Sequence, residues 1–354
     1  MTTNHKFFLD LAFQLAEKNL GKTKLNPSVG SVVVKNNTVI SSGVTSVTGR
    51  PHAEFNALNK IKNTEGATLY TSLEPCVHQG KTPPCTNIII KKKIKSVYYS
   101  FEDPDLRTYK KTKKILNARG IKAKLIETKK YKNFYRSYLI NKKLNISFIS
   151  AKIAISNDYY TINKKDKWIT NYFSRKVTHL IRSQHDGIIS TSRSINCDNS
   201  LLNCRIEGLD NNKPDLFIID LNLKLKKNLL INKILEKRKT YLITYKKNIK
   251  KTQVFKKRGY KIILIKSLKN KNDFILLYKK LLKMGYARIL VEAGLTFLNT
   301  LIKNNLINDL YIFKNSNYLK KKGKNNATTR YIKDISYKQI SINLNNDKLY
   351  KKEF

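Results

Sequence analysis

Apolar residues recur at helical spacing at the start of the chain. Phe7, Phe8, Leu11, Ala12 and Leu15 fall on one side of a helix over roughly 4–20, interrupted by Asp10, Gln14 and Glu17. The pattern then changes to short apolar runs bounded by turn residues. Ser31–Lys35, Thr38–Val44 and Ala67–Ser72 read as strands, a helix starts near Pro51, and further helix–strand pairs follow to Ile126. After the polar stretch Asn141–Asn145 a second series begins, with strands predicted at Ser147–Ile155, Gly187–Thr191, Leu216–Asp220, Tyr241–Thr244, Lys261–Ile265 and Arg288–Val291. Helical patterns lie between them, as at Tyr172–Gln184 and Asn272–Lys283. This alternation predicts two α/β domains, 1–145 and 146–354. No apolar run approaches the roughly 18 residues of a membrane helix.

Composition changes this picture in its charge. Lys and Arg number 71 against 24 Asp and Glu, a net +47. Such an excess suits nucleic acid or a membrane surface. The lysines are interleaved with Asn and Ile throughout, however, and the runs Lys91–Lys93, Lys110–Lys114, Lys246–Lys251 and Lys320–Lys322 lie far apart. The charge therefore reads as compositional drift that still attracts phosphorylated metabolites, and neither a nucleic-acid nor a membrane partner is expected. Four cysteines are too few for a disulfide framework. With no signal-peptide pattern, a cytoplasmic protein is expected.

The chemistry concentrates in Pro51-His52-Ala53-Glu54, Leu73-Glu74-Pro75-Cys76 and Pro83-Pro84-Cys85. One His and two Cys give zinc three ligands and leave a fourth position for water, a catalytic arrangement. Pro51 suits a first helical turn, which His52 and Glu54 would share. Cys85 would open a helix behind two prolines, where the positive helix end favours a thiolate. Glu54 would not ligate; it would move protons between water, the substrate nitrogen and the leaving ammonia. Order and residue types match the zinc-deaminase signature. The spacing departs from that of nucleic-acid deaminases, because eight residues, Val77 to Pro84, separate Cys76 from Cys85.

The segment Leu73–Cys85 resembles the long zinc loop of the bifunctional deaminase–reductase family of riboflavin biosynthesis, and Asn26-Pro27-Ser28-Val29-Gly30 resembles that family's Asn-Pro-x-Val-Gly element. The resemblance implies a cytidine-deaminase-like α/β/α zinc domain followed by a dihydrofolate-reductase-like α/β domain using NADPH. It implies His52, Cys76 and Cys85 as zinc ligands, Glu54 as the catalytic acid/base, and Asn26, His78 and Lys81 as substrate contacts. Thr45 stands where the family has His, and Asp105–Lys110 replaces a glycine-rich stretch.

The second half carries no Gly-x-Gly-x-x-Gly, so an ordinary dinucleotide fingerprint is absent. Strand Ile289–Val291 runs through Glu292-Ala293-Gly294 into an apolar helix, a junction able to hold phosphate. Lys152–Asp158, Trp168-Ile169-Thr170 and Asp198–Arg205 resemble reductase motifs of the same family. By that match Ile155, Trp168, Ser194, Asp198 and Gly294 would contact NADPH, and Asp166, Arg182, Leu202, Arg205 and Glu292 the substrate. Tyr159 replaces a glycine, Asn163–Asp166 a Ser-Gly-Glu-Ser-like loop and Ser200 a proline, while Lys314–Gly323 keeps little of the pattern. Cys197 and Cys204, without a nearby His, read as free thiols.

The expectation is thus a homo-oligomeric enzyme acting on a small phosphorylated pyrimidine. It would deaminate 2,5-diamino-6-ribosylamino-4(3H)-pyrimidinone 5′-phosphate and then reduce the ribosyl group to ribityl with NADPH. Two alternatives stand beside it: an RNA-binding base deaminase, motivated by the charge, and a deaminase whose reductase-like half is inactive, motivated by the departures.

Overall fold

Alternation along short strands sets the layering of the first half. In the computed structural model, which describes residues 4–128, 131, 133–209, 214–327, 332–333 and 336–354, the chain divides into the units Met1–Asn145 and Ile146–Phe354. The first opens with α1 (His5–Glu17), followed by the antiparallel hairpin β1 (Gly30–Lys35) and β2 (Thr38–Val44). After α2 (Ala53–Leu58), β3 (Thr68–Thr71) pairs antiparallel with β1. Next come α3 (Cys85–Lys91), β4 (Ser96–Tyr99), α4 (Thr112–Asn117) and β5 (Lys122–Leu125), the strands parallel to β3, and then α5 (Arg136–Leu144). The sheet order is β2-β1-β3-β4-β5. Val33, Leu69 and Val97 point to one face, against Ala57, Leu58, Ile89 and Leu116 of α2, α3 and α4. Val32, Val34, Tyr70 and Tyr98 point to the other, against Phe8, Leu9 and Ala12 of α1. The result is the expected α/β/α sandwich.

Two local expectations are corrected. The buried face of α1 is Phe8, Leu9, Ala12, Phe13 and Ala16, rotated from the predicted one, and Phe7 is 53% exposed. The cause is close contact with β1: a Cβ on Gly30 would lie 1.9 Å from the Ala12 carbonyl oxygen, so the small residues of the helix face the sheet. Pro51 is not in the first turn of α2. It follows a cis peptide and precedes His52, the extended N-cap, so only Glu54 lies in that turn.

The second unit has β6 (Phe148–Ile155), β7 (Tyr160–Asn163), α6 (Tyr172–Ser183), β8 (Gly187–Thr191), α7 (Ser192–Asp198) and β9 (Asp215–Ile219). It continues with β10 (Thr240–Tyr245), α8 (Gln253–Lys257), β11 (Lys261–Ile265), α9 (Lys271–Lys283), β12 (Arg288–Val291) and α10 (Leu295–Lys303). Last come β13 (Asp309–Asn315), β14 (Gly323–Asn326), β15 (Lys338–Leu344) and β16 (Asp347–Glu353). A nine-stranded sheet runs β11-β10-β9-β8-β12-β6-β13-β16-β15, parallel as far as β13, while β7 and β14 form a separate ribbon. Its parallel strands are apolar on both faces because helices cover both. Ile189, Phe217 and Ile289 pack with α9 and α10, and Ile188, Leu216 and Leu290 with α6 and α7.

From β8 the chain winds outward to β11, then returns to insert β12 between β8 and β6. In such open sheets the reversal leaves a crevice at the carboxyl ends of the strands. Tyr159, in place of the family glycine, adopts φ 66°; its ring packs on the main core and lies 4.5 Å from Lys314 Nζ, offsetting a left-handed conformation that costs about 1 kcal/mol. Among the described residues, no helix is long and apolar enough to cross a membrane.

Candidate active sites

In the first unit, Leu73–Cys76 leaves the carboxyl end of β3 and Asp103 follows β4, so both converge on the end of the sheet where α2 begins. Gly43 lets α2 lie directly on β2: a Cβ there would sit 2.4 Å from the Ala53 oxygen and the Ala57 nitrogen. His52, Cys76 and Cys85 meet at this point. His52 Nδ1 is 3.6 Å from Cys76 Sγ and 3.3 Å from Cys85 Sγ, and the three ligand atoms lie within 4.8 Å of one another. Zinc bonds of about 2.05 Å to nitrogen and 2.3 Å to sulfur would set tetrahedral N···S edges of about 3.6 Å, so this donor set fits zinc. The Cys85 backbone N–H donates to Cys76 Sγ at 3.3 Å. Bonding to Cys85 and His52 outweighs burial and holds the Cys76 thiol down to about 4, while the bond with Cys76 and burial push Cys85 up.

Glu54 is buried beside Cys85, and burial lifts its carboxyl to about 7 against the pull of His52. It lines a cleft with His52, Cys76, Asn26 and His78. Asn26 donates to Gly49 O at 2.8 Å, and the His78 ring meets Thr108 Oγ1 at 3.0 Å. Burial, and then Arg107, lower the His78 pKa, favouring the uncharged ring. Thr45 also lines the cavity, its hydroxyl accepting from the Val29 N–H. Lys81 does not line it; this residue is exposed on the zinc loop.

Sequence reasoning missed a further part of the lining, contributed by Asp103, Asp105, Arg107, Tyr138 and Lys142. Arg107 grips Asp105 through Nε at 2.9 Å and Nη2, and Lys142 Nζ adds a bond at 2.8 Å. The Arg107 bonds hold the Asp105 carboxyl far below the usual carboxylate range. No local signal reveals the Asp105–Lys142 pair, since Lys142 comes from a helix distant in sequence. Arg50 completes the rim, donating to Thr82 Oγ1 at 2.7 Å.

Asp103 is 5% exposed and accepts from Tyr138 OH at 3.0 Å. Burial lifts its carboxyl from 3.8 to about 6. Between those pH values the folded chain keeps a proton that the unfolded chain has released, so this group's contribution falls as pH rises from 4 to 6 and stays level above. The loss is about 3 kcal/mol at 1.36 kcal/mol per pH unit. Asp103→Asn is therefore expected to gain stability over the unmodified chain by an amount that grows from pH 4 to pH 6, checked by urea unfolding at pH 4, 5, 6 and 8. A constant difference would contradict it.

In the second unit Arg182, Ser194, Glu292 and Gly294 gather at the carboxyl ends of β8 and β12. Arg182 of α6 pairs with Glu292 through Nε and Nη2 at 2.5 and 2.8 Å, and its Nη1 donates to Asn203 O at 3.0 Å. Burial pushes the Glu292 carboxyl up, but Arg182 more than reverses this, and its pKa lies below the ordinary value. Ser194 Oγ accepts the Gly294 N–H at 2.9 Å, joining two residues predicted to touch the cofactor. Asp198 faces Lys167 and Lys152. Leu202 is held at φ 48°, its carbonyl accepting from buried Arg238 at 2.7 Å, and Arg205 Nη1 donates to Asn203 Oδ1 at 2.7 Å. Ile155 is fully buried at the end of β6. Trp168 and Asp166 lie exposed before α6, with Arg175 stacked 4.8 Å from the Trp168 ring. Sequence reasoning gave no role to Lys152, which faces Glu292 and Asp198. Its signal was a lysine inside the apolar run of β6.

Comparison with known proteins matches each half separately. Residues 2–101 match the family model of the cytidine and deoxycytidylate deaminase zinc-binding region, and residues 147–326 that of the RibD C-terminal domain. The riboflavin biosynthesis protein RibD of Aquifex aeolicus is 32% identical over 87% of this chain and 86% of its own. That of Escherichia coli is 26% identical over 87% and 86%. The solved structure of Acinetobacter baumannii RibD superposes with a TM-score of 0.83 at 25% identity, covering 98% of both chains. A Thermotoga maritima deaminase/reductase shares the fold, with a TM-score of 0.80 at 24% identity over 98% of this chain and 97% of its own.

Proposed function

The chain belongs to the RibD family of riboflavin biosynthesis proteins, and from that premise we propose how its residues divide the family's two reactions. The protein is a bifunctional enzyme of riboflavin biosynthesis, a zinc-dependent deaminase joined to an NADPH-dependent reductase. In our reading residues 1–145 deaminate the diamino-ribosylamino-pyrimidinone 5′-phosphate, and residues 146–354 reduce the ribosyl group of the product to ribityl. Bound zinc supplies Lewis acidity toward water in the first half, and NADPH supplies hydride in the second.

His52, Cys76 and Cys85 would hold the zinc. Glu54 accepts one proton from the attacking water and delivers it to the pyrimidine ring nitrogen, then carries a second, from the added hydroxyl, to the exocyclic amino group, which leaves as ammonia. Asn26 and His78 orient the ring from the cavity wall, while Arg50, Arg107 and exposed Lys81 offer positive charge to the phosphate. In the reductase half, Arg182 and Glu292, with Asp166, Leu202 and Arg205, orient the sugar phosphate. Ile155, Trp168, Ser194, Asp198 and the Gly294 turn receive the cofactor. The reading includes a cytoplasmic homo-oligomer whose scattered lysines serve no nucleic acid.

The observation that carries the deaminase assignment is the His52–Cys76–Cys85 cluster with Glu54 beside it. Incubating the protein with zinc, NADPH and the diaminopyrimidinone phosphate is expected to yield ribitylaminouracil phosphate. Accumulation of the ribosyl product alone would overturn the reductase assignment, and absence of any deaminated product would overturn the whole reading.

A further inference from the structure

Glu74 is 2% exposed and lies two residues before Cys76. It is neither a metal ligand nor a group with an assigned task. Its carboxylate is occupied by backbone. Oε2 accepts the N–H groups of Asp103 and Lys110, each at 3.1 Å, and Oε1 accepts that of Thr112 at 3.1 Å. Two further bonds tie the same strands of chain: the Glu74 N–H donates to Phe101 O at 2.8 Å, and Thr112 Oγ1 to Pro75 O at 2.7 Å.

The segment so gripped, 103–112, has no regular structure before α4, so its buried N–H groups need partners from elsewhere. It carries Asp103, Asp105 and Arg107 on the cavity wall, and Thr108, which meets His78. We infer that Glu74 is a positioning residue of the deaminase: it anchors this wall to the strand end bearing Cys76, and so sets the distance between the substrate-binding wall and the zinc cluster. A carboxylate suits this task, because its two acceptor oxygens receive all three N–H groups as charge-assisted bonds. Gln has one acceptor oxygen, and its NH2 would confront a backbone donor.

This inference rests on the deaminase reading, and full-length Glu74→Gln tests it. The KM for the diaminopyrimidinone phosphate is expected to rise about ten- to hundred-fold, because a displaced wall loses one or two polar contacts to the substrate, each worth about tenfold in affinity. The kcat should stay within about threefold, since the Glu74 carboxylate bonds to Asp103, Lys110 and Thr112 and to none of Glu54, His52, Cys76 and Cys85. Zinc content should remain one per chain, and reductase turnover of the deaminated product should be unchanged. An unaltered KM overturns the inference. So does loss of zinc with falling kcat at constant KM, which would assign Glu74 to the metal cage. Glu74→Gln protein that also lacks reductase turnover overturns it too, assigning Glu74 to folding. Glu74→Asp, with its charge kept, is expected to fall between the two in KM. Failure of the unmodified protein to deaminate would instead overturn the deaminase reading itself.

Discussion

Glu54→Gln is expected to lower deaminase turnover by about 10²–10⁴-fold, the range for loss of a positioned general acid/base. The replacement keeps shape and removes the proton acceptor, so His52, Cys76 and Cys85 should still bind one zinc per chain. Substrate KM should change little, because Asn26, His78 and the Asp105–Arg107 pair stand on other segments of the cavity. Reductase turnover of the deaminated product should be unaffected, since that chemistry lies in a separate unit. Stopped assays of ammonia release, with metal analysis of the same preparation and NADPH oxidation on the deaminated product, check all four expectations. Retention of full deaminase activity would remove Glu54 from the mechanism.

Arg182→Met is expected to abolish the reductase step and to destabilise the second unit by about 3–5 kcal/mol. The Arg182 and Glu292 side chains are 11% and 8% exposed, so removing the guanidinium strands a carboxylate in an apolar setting and leaves the Asn203 carbonyl short of a donor. Two consequences separate stability from function. The double variant Arg182→Met/Glu292→Gln should regain much of the lost stability, because the Glu292 charge is removed as well and Lys152 keeps Asp198 as a counter-charge, and should stay inactive in reduction. Deaminase turnover should survive in both variants. Chemical unfolding and NADPH oxidation measure the two effects, and an active double variant would contradict the assignment of this pair to the substrate.

The metal site was legible because its information is local: the residue types and prolines of Pro51–Glu54 and Leu73–Cys85 stand in the order that the chemistry needs. Strands such as Gly187–Thr191, Lys261–Ile265 and Arg288–Val291 were legible for a related reason, since apolar runs with short flanks declare a doubly covered sheet. What stayed hidden depends on partners distant in sequence. Strand β16, with Lys348, Lys351 and Lys352 among its seven residues, acquires its structure from pairing with β13 and β15. The ribbon of β7 and β14 joins residues far apart in the chain, and the Asp105–Lys142 bond does the same within the deaminase cavity. The face of α1 was misread because hydrophobicity favours Phe7, whereas contact with Gly30 favours Ala12 and Ala16.

Two separate cores on one chain have a metabolic consequence. Every translation event makes one deaminase and one reductase, so no change in expression alters their ratio. The steady-state level of the deaminated intermediate is then governed by the relative catalytic efficiencies of the two sites. A substitution that slows only the second site raises that pool, and higher expression of the same protein leaves the imbalance between the two steps in place.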